Sequence, residues 1–169
     1  MTVPASPPSA AADGSRIRQR LTELGLELPS VAAPVAAYVP AVRSGDHVLT
    51  SGQLPFVDGS LPRTGKVGAE VTAEQAAELA ATSCLNALAA IEDLVGSLDQ
   101  IVRVVKLTGF VASDPSFTGQ PAVINGASEL LGEVFGERGA HARSAVGVAV
   151  LPMDAPVELE LQVEIQRTV

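Results

Sequence analysis

The chain has no tryptophan, one tyrosine, four phenylalanines, two histidines and one cysteine. Aromatics make up 3% of its 169 residues while apolar residues make up 47%, so any core must be built from closely packed Ala, Val and Leu. One cysteine, Cys84, excludes an intrachain disulfide and fits a reducing, cytoplasmic compartment. Two histidines and one cysteine are too few for a zinc cluster, so no metal is expected. Basic residues are scarce, 11 against 19 acidic, which gives a net charge of −8. Only Arg16, Arg18 and Arg20 cluster. Such a chain has no electrostatic reason to bind nucleic acid or an anionic membrane, and any anion it holds must be gripped by a local cation. No apolar run approaches the ~18 residues of a membrane span. The start, Met-Thr-Val-Pro-Ala-Ser-Pro-Pro, lacks the basic, apolar pattern of a secretory signal.

What is present fits one domain with a tail. Residues 1–14 are rich in Pro, Ala and Ser and are expected to be disordered. Residues 15–34 read as a short helix and a linker. Ser15 caps the helix, Ile17, Leu21 and Leu24 form its stripe, and Gly25 ends it. Residues 35–169 carry the main domain. Segments 38–42 and 47–53 read as strands around a turn at 43–46. A Gly/Pro-rich loop follows, with a short edge strand at 66–67. Thr72-Ala-Glu-Gln75 is a capping box that opens a helix over 73–95, with Ala76, Ala80, Cys84, Ala87 and Ile91 on its buried stripe. Gly96 stops it. Residues 101–112 form a strand with Ile101, Val105, Leu107 and Val111 apolar. Residues 117–135 form a second helix, interrupted in propensity by Gly126 and Gly132. Strands at 143–150 and 157–167 complete an α+β order with both helices on one sheet face.

The last quarter carries the chemistry. Arg143 opens one alternating strand and Glu158 lies early in the next, beyond a Pro/Asp turn. Antiparallel pairing of the two would set a guanidinium fork near a carboxylate across the sheet, an arrangement suited to a small carboxylated substrate beside an activated water. Of the two faces of the strand from Arg143, the valine face is expected under the helices. The face bearing Arg143, Ala145, Gly147 and Ala149 is expected beside Glu158, Glu160, Gln162 and Glu164, open to a partner subunit.

At these residues the chain resembles the reactive-intermediate (enamine/imine) deaminase family, the YjgF-type or endoribonuclease L-PSP-like family. The matching motifs are Tyr38-Val-Pro-Ala-Val42, Leu49-Thr-Ser-Gly-Gln-Leu-Pro55, Val104-Val-Lys-Leu-Thr-Gly-Phe-Val111, Val123-Ile-Asn-Gly-Ala-Ser128 and Ala142-Arg-Ser-Ala-Val-Gly-Val148 with Val157-Glu-Leu-Glu160. The resemblance implies a chorismate-mutase-like α+β fold, a mixed sheet with two helices on one face, and a homotrimer with clefts between subunits. It implies that Arg143 grips a substrate carboxylate and that Glu158 is linked to a catalytic water. By the same resemblance Tyr38, Gly52, Asn125 and Ala145 line the cleft. Ala145 stands where many members have cysteine, and Gly147 where deaminating members often carry an acid. The loop at 58–68 and the N-terminal 30 residues are additions, which looks like a longer branch of the family.

The implied activity is cofactor-free hydrolysis of small 2-imino or enamine acids to 2-oxo acids. The alternative is a non-catalytic carboxylate-binding trimer acting as a metabolite sensor. Ribonuclease action, attached to some members, is disfavoured by the acidic charge and lack of a basic patch. Bland roles compete at each residue. Tyr38 could pack in the core, Asn125 could bond backbone, and Gly52 could serve only its backbone conformation. Cys84 reads as a core residue, His47 as a turn residue facing solvent, and His141 as a minor acid–base candidate. Gly65-Lys66-Val-Gly68 lacks P-loop spacing.

Overall fold

A computed structural model describes residues 15–31 and 37–167. The expected tail at 1–14 lies outside the described residues, as do positions 32–34 of the expected linker. The elements are α1 (Arg16–Glu23), β1 (Ala41–Ser44), β2 (His47–Thr50), α2 (Ala73–Val95), β3 (Ile101–Ala112), α3 (Gln120–Phe135), β4 (Ala142–Val148) and β5 (Val157–Ile165).

Helix α2 forms where its capping box and glycine stop place it. The Thr72 hydroxyl accepts from the Gln75 amide at 3.2 Å, and the Gln75 side chain accepts from the Thr72 amide at 3.1 Å. Gly96 closes the helix in the left-handed conformation at φ 85°. Helix α1 begins as its sequence implies, with the Ser15 hydroxyl accepting from Arg18 N. The Asp99 carboxylate also takes the free amides of Arg16 and Ile17 at 2.9 and 3.0 Å. Arg18 pairs with Glu92 of α2. Ile17 and Leu21 are buried in the core shared by the rest of the chain.

The sheet order is β1-β2-β5-β3-β4. Strand β5 runs antiparallel to both β2 and β3, while β3 and β4 are parallel and joined by α3. This corrects the expected β4–β5 hairpin. A strand–helix–strand unit returns its second strand parallel to its first, so α3 delivers β4 to the outer edge of β3. The segment after β4 then crosses the end of β3: Ser113 N donates to Val148 O, and Ala112 N donates to Pro156 O. Strand β5 therefore enters on the far side of β3.

Both long helices cover one sheet face. Val48, Leu107, Val111, Leu159, Leu161, Val163 and Ile165 point to them and are fully or almost fully buried. In β3 the inward residue of the first half is Val104, not Val105, because register shifts fall between Ile101 and Arg103 and between Val104 and Lys106. Cys84 lies in this core, and burial pushes its thiol up to about 12, which leaves it inert as a nucleophile.

Gly126 has a packing function that its low helix propensity hides. A Cβ there would sit 2.0 Å from the Ala77 carbonyl oxygen of α2. The two helices touch backbone to backbone at that point. Gly126→Ala must push them apart and should cost about 1–3 kcal/mol or more. For a chain of this size each kcal/mol lowers the melting temperature by about 2–4 °C, readable by thermal denaturation.

Candidate functional site

Residues paired across neighbouring strands point to the same face, and this rule places the candidates on β4 and β5. Arg143 pairs with Leu107, Ala145 with Gly109 and Gly147 with Val111. Leu107, Gly109 and Val111 face the helices, so Arg143, Ala145 and Gly147 face them too. Ala145 packs against the core, and a Cβ on Gly147 would meet the Gln120 amide of α3 at 2.8 Å. The sequence expectation for β4 is therefore inverted. Its small residues are small because α3 lies over them, and its other alternating face carries Ser144, Val146 and Val148. Those three share the open face with Thr108 and Phe110 of β3.

Under α3 the sheet builds a polar cluster around Arg143. Its Nη1 donates to Asn125 Oδ1 at 2.8 Å and to Ser128 Oγ at 3.1 Å. Ser128 Oγ lies 3.1 Å from His141 Nε2, and His141 Nδ1 lies 2.6 Å from Gly139 O. Asn125 and Ser128 are one turn apart on α3, so both reach the same strand. The sequence motif singled out Asn125 and missed the role of Ser128, although the spacing of three residues signals it. His141 just precedes β4, two residues before Arg143, and both reach Ser128.

Glu158 lies elsewhere. It pairs with Phe110 and projects from the open face, two strands from β4. Arg143 and Glu158 of one chain therefore do not face each other across the sheet, contrary to the pairing expected from sequence. Glu158 is half-buried, and burial first, then the neighbouring Glu160 carboxylate, raises its pKa above the ordinary carboxylate range. Gly52 meets it: a Cβ on Gly52 would fall 1.8 Å from Glu158 Oε1. The glycine is needed for this contact and not for an unusual backbone, since its φ is not in the left-handed region. Ser51 binds the segment bearing Tyr38 to this place, its amide donating to Pro40 O and its hydroxyl to Val39 O. Tyr38 is 56% exposed and does not pack in the core.

The candidates thus fall into two groups on opposite sheet faces. One is Arg143 with Asn125 and Ala145 under α3. The other is Glu158 with Gly52 and, tethered beside them, Tyr38. The open face that carries Glu158 also exposes Val42, Leu49 and Val146. A shallow depression of about 80 Å³ lies on it between Leu49, Lys106, Thr108 and Glu160. His47, expected in a turn, starts β2 and is half-buried opposite Glu164. Among the described residues no group of three His, Cys, Asp or Glu side chains is placed to hold a metal ion. No helix there is long and apolar enough to cross a membrane.

Residues 18–165 match the model of a family described as "YjgF/chorismate_mutase-like, putative endoribonuclease". The chain is 46% identical over 158 residues to the protein TCP17 of Trypanosoma cruzi, covering 93% of this chain and 98% of the relative. It is 35% identical over 130 residues to the 2-iminobutanoate/2-iminopropanoate deaminase of Escherichia coli strain K12, covering 76% and 87%. The crystal structure of Atu1372 from Agrobacterium tumefaciens, a protein of unknown function, superposes with a TM-score of 0.83 at 48% identity, covering 89% and 92%.

Proposed function

The chain belongs to the YjgF/chorismate-mutase-like family, and from that premise we propose that it hydrolyses small 2-imino acids to 2-oxo acids and ammonia at a site shared between two subunits. The observation that carries this is the division into half-sites. Arg143 faces α3 and Glu158 faces the open sheet surface, so a cleft containing both needs a second copy of the chain. Val42, Leu49 and Val146, exposed on the open face, are the apolar surface such a copy would cover. A closed ring of three chains repeats one heterologous contact and generates three equivalent clefts. The relative at 35% identity named as an imine deaminase supports the reaction class.

The chemistry asks little of the protein. The imine carbon is already electrophilic. Arg143 of one subunit holds the substrate carboxylate through paired N–H donors. Glu158 of the next takes a proton from a water whose oxygen bonds to C2. Glu158 passes that proton to the nitrogen and then carries the C2 hydroxyl proton to it as well; the C–N bond of the tetrahedral adduct breaks, and ammonia leaves as the C2 oxygen becomes the carbonyl. Glu158, raised above the ordinary carboxylate range, is a stronger base than an exposed glutamate. Gly52 leaves room for its carboxylate against the backbone.

The test is to generate imines in situ with an amino-acid oxidase and follow 2-oxo acid release. Substoichiometric protein should accelerate release of short-chain 2-oxo acids. Binding of 2-oxobutanoate without any acceleration would replace the enzyme reading with the metabolite-sensor one.

A further inference from the structure

The hydrogens of the Arg143 cluster can be assigned one at a time. Gly139 O is a carbonyl and only accepts, so the His141 Nδ1 at 2.6 Å carries a hydrogen. Neutral His141 then presents Nε2 as an acceptor. The single Ser128 hydroxyl hydrogen points to it across 3.1 Å. That orientation turns the oxygen lone pairs of Ser128 toward Arg143 Nη1, which donates at 3.1 Å. The second Nη1 hydrogen goes to Asn125 Oδ1 at 2.8 Å. Both hydrogens of Nη1 are thereby used, and the guanidinium plane is fixed at two points. Among the described residues, no other hydrogen bond engages the Nε–Nη2 edge. That edge holds two parallel N–H groups, the fork that fits a carboxylate.

The far end of the chain of bonds is also rigid. A Cβ on Gly139 would lie 2.2 Å from Leu131 O, so the backbone that supplies the carbonyl is pressed against the end of α3. Three hydrogen bonds therefore run from a fixed backbone carbonyl to the guanidinium.

We propose that Ser128 and His141 are positioning residues that hold Arg143 with its Nε–Nη2 edge turned out to a substrate carboxylate. This rests on Arg143 being the carboxylate clamp of the function proposed above. An unrestrained arginine loses about 2 kcal/mol of rotamer freedom when it is fixed, and a prefixed one has less to lose on binding. The serine sets the plane and the histidine sets the serine.

The test uses the full-length protein. With 2-iminobutanoate generated in situ, Ser128→Ala should raise KM about five- to tenfold, the net worth of one ordinary hydrogen bond, while kcat stays within about twofold. Ser128→Thr keeps the hydroxyl and should restore KM. His141→Ala should raise KM in the wild-type background and add nothing in the Ser128→Ala background, because its effect passes through the serine. A ligand-free readout accompanies these. In 15N NMR the Arg143 Nη1 hydrogens should be in slow exchange in the wild type and merge with those of Nη2 in Ser128→Ala, and the His141 ring should show the Nδ1–H tautomer. Unchanged KM and unchanged Arg143 spectra in Ser128→Ala, with Arg143→Ala inactive, overturn the positioning role alone. Additive losses for Ser128 and His141 overturn the relay. If Arg143→Ala turns over like wild type, the clamp itself fails, and the spectra still decide whether serine and histidine order the guanidinium.

Discussion

Arg143→Ala should weaken binding of 2-oxobutanoate, the product of 2-iminobutanoate hydrolysis, by about ten- to a hundredfold. A charge-assisted pair in a partly buried cleft contributes roughly 1.5–3 kcal/mol. The chain carries a net charge of −8, so little else attracts an anion to the cleft. Arg143→Lys should recover little of the loss. An ammonium cannot make two parallel bonds, and it cannot also satisfy Asn125 Oδ1 and Ser128 Oγ from the same strand position. Titration calorimetry reads the affinity, and an unchanged melting curve confirms that the fold survives. Unchanged affinity in Arg143→Ala places the carboxylate elsewhere.

Glu158→Gln should leave that affinity nearly intact and lower kcat by about a hundred- to ten-thousandfold, the span of a lost general base. Two pH effects follow from its raised pKa. In the wild type kcat should rise with pH as the Glu158 carboxyl ionises, and Glu158→Gln should lose that arm. The stability effect runs the other way. Burial and Glu160 disfavour the charged form in the folded chain. The folded protein therefore holds this proton above the ordinary carboxylate range, where the unfolded chain has released it. Below that range the group costs nothing. Stability falls as pH rises from the ordinary carboxylate range through the raised pKa, and the full penalty remains at neutral pH. Glu158→Gln should thus melt higher than wild type near neutrality and at the same temperature in acid. A variant that is more stable and nearly inactive would fit a group kept for chemistry at a cost to the fold.

Local signals in the chain are strong wherever one element's own residues decide it. The capping box at Thr72 and the stop at Gly96 set both ends of α2, and Ser15 with Gly25 sets α1, because caps act within a few residues. Pairing is another matter. Strands β4 and β5 are consecutive and separated by a Pro/Asp turn, which reads as a hairpin. Yet α3 had already committed β4 to lie parallel to β3, and that left β5 to pair with β3's other edge and with β2. The faces of β4 were equally hidden. Alternation gives parity but not direction, and Arg-Ala-Gly-Ala against Ser-Val-Val-Val suggests the valines as the buried set. The small residues are inward because α3 sits close above, with Gly109 and Gly147 leaving space for Ile124 and Gln120. In β3 two register shifts moved burial from Val105 to Val104. Of the candidate site, the residues to examine were named by the family motifs. Their division between two faces was not legible, because it follows from strand order.

That division is also what a single experiment can test. Arg143→Ala and Glu158→Gln chains, each nearly inactive alone, are unfolded together and refolded as a mixture, with distinguishable tags to verify hybrid assemblies. If each cleft takes Arg143 from one chain and Glu158 from its neighbour, random mixing of equal amounts in a closed ring rebuilds about a quarter of the clefts with both groups intact. Imine hydrolysis should return to about that fraction of the wild-type rate. Hybrid assemblies that form but stay as inactive as the parent variants would contradict a site shared between subunits.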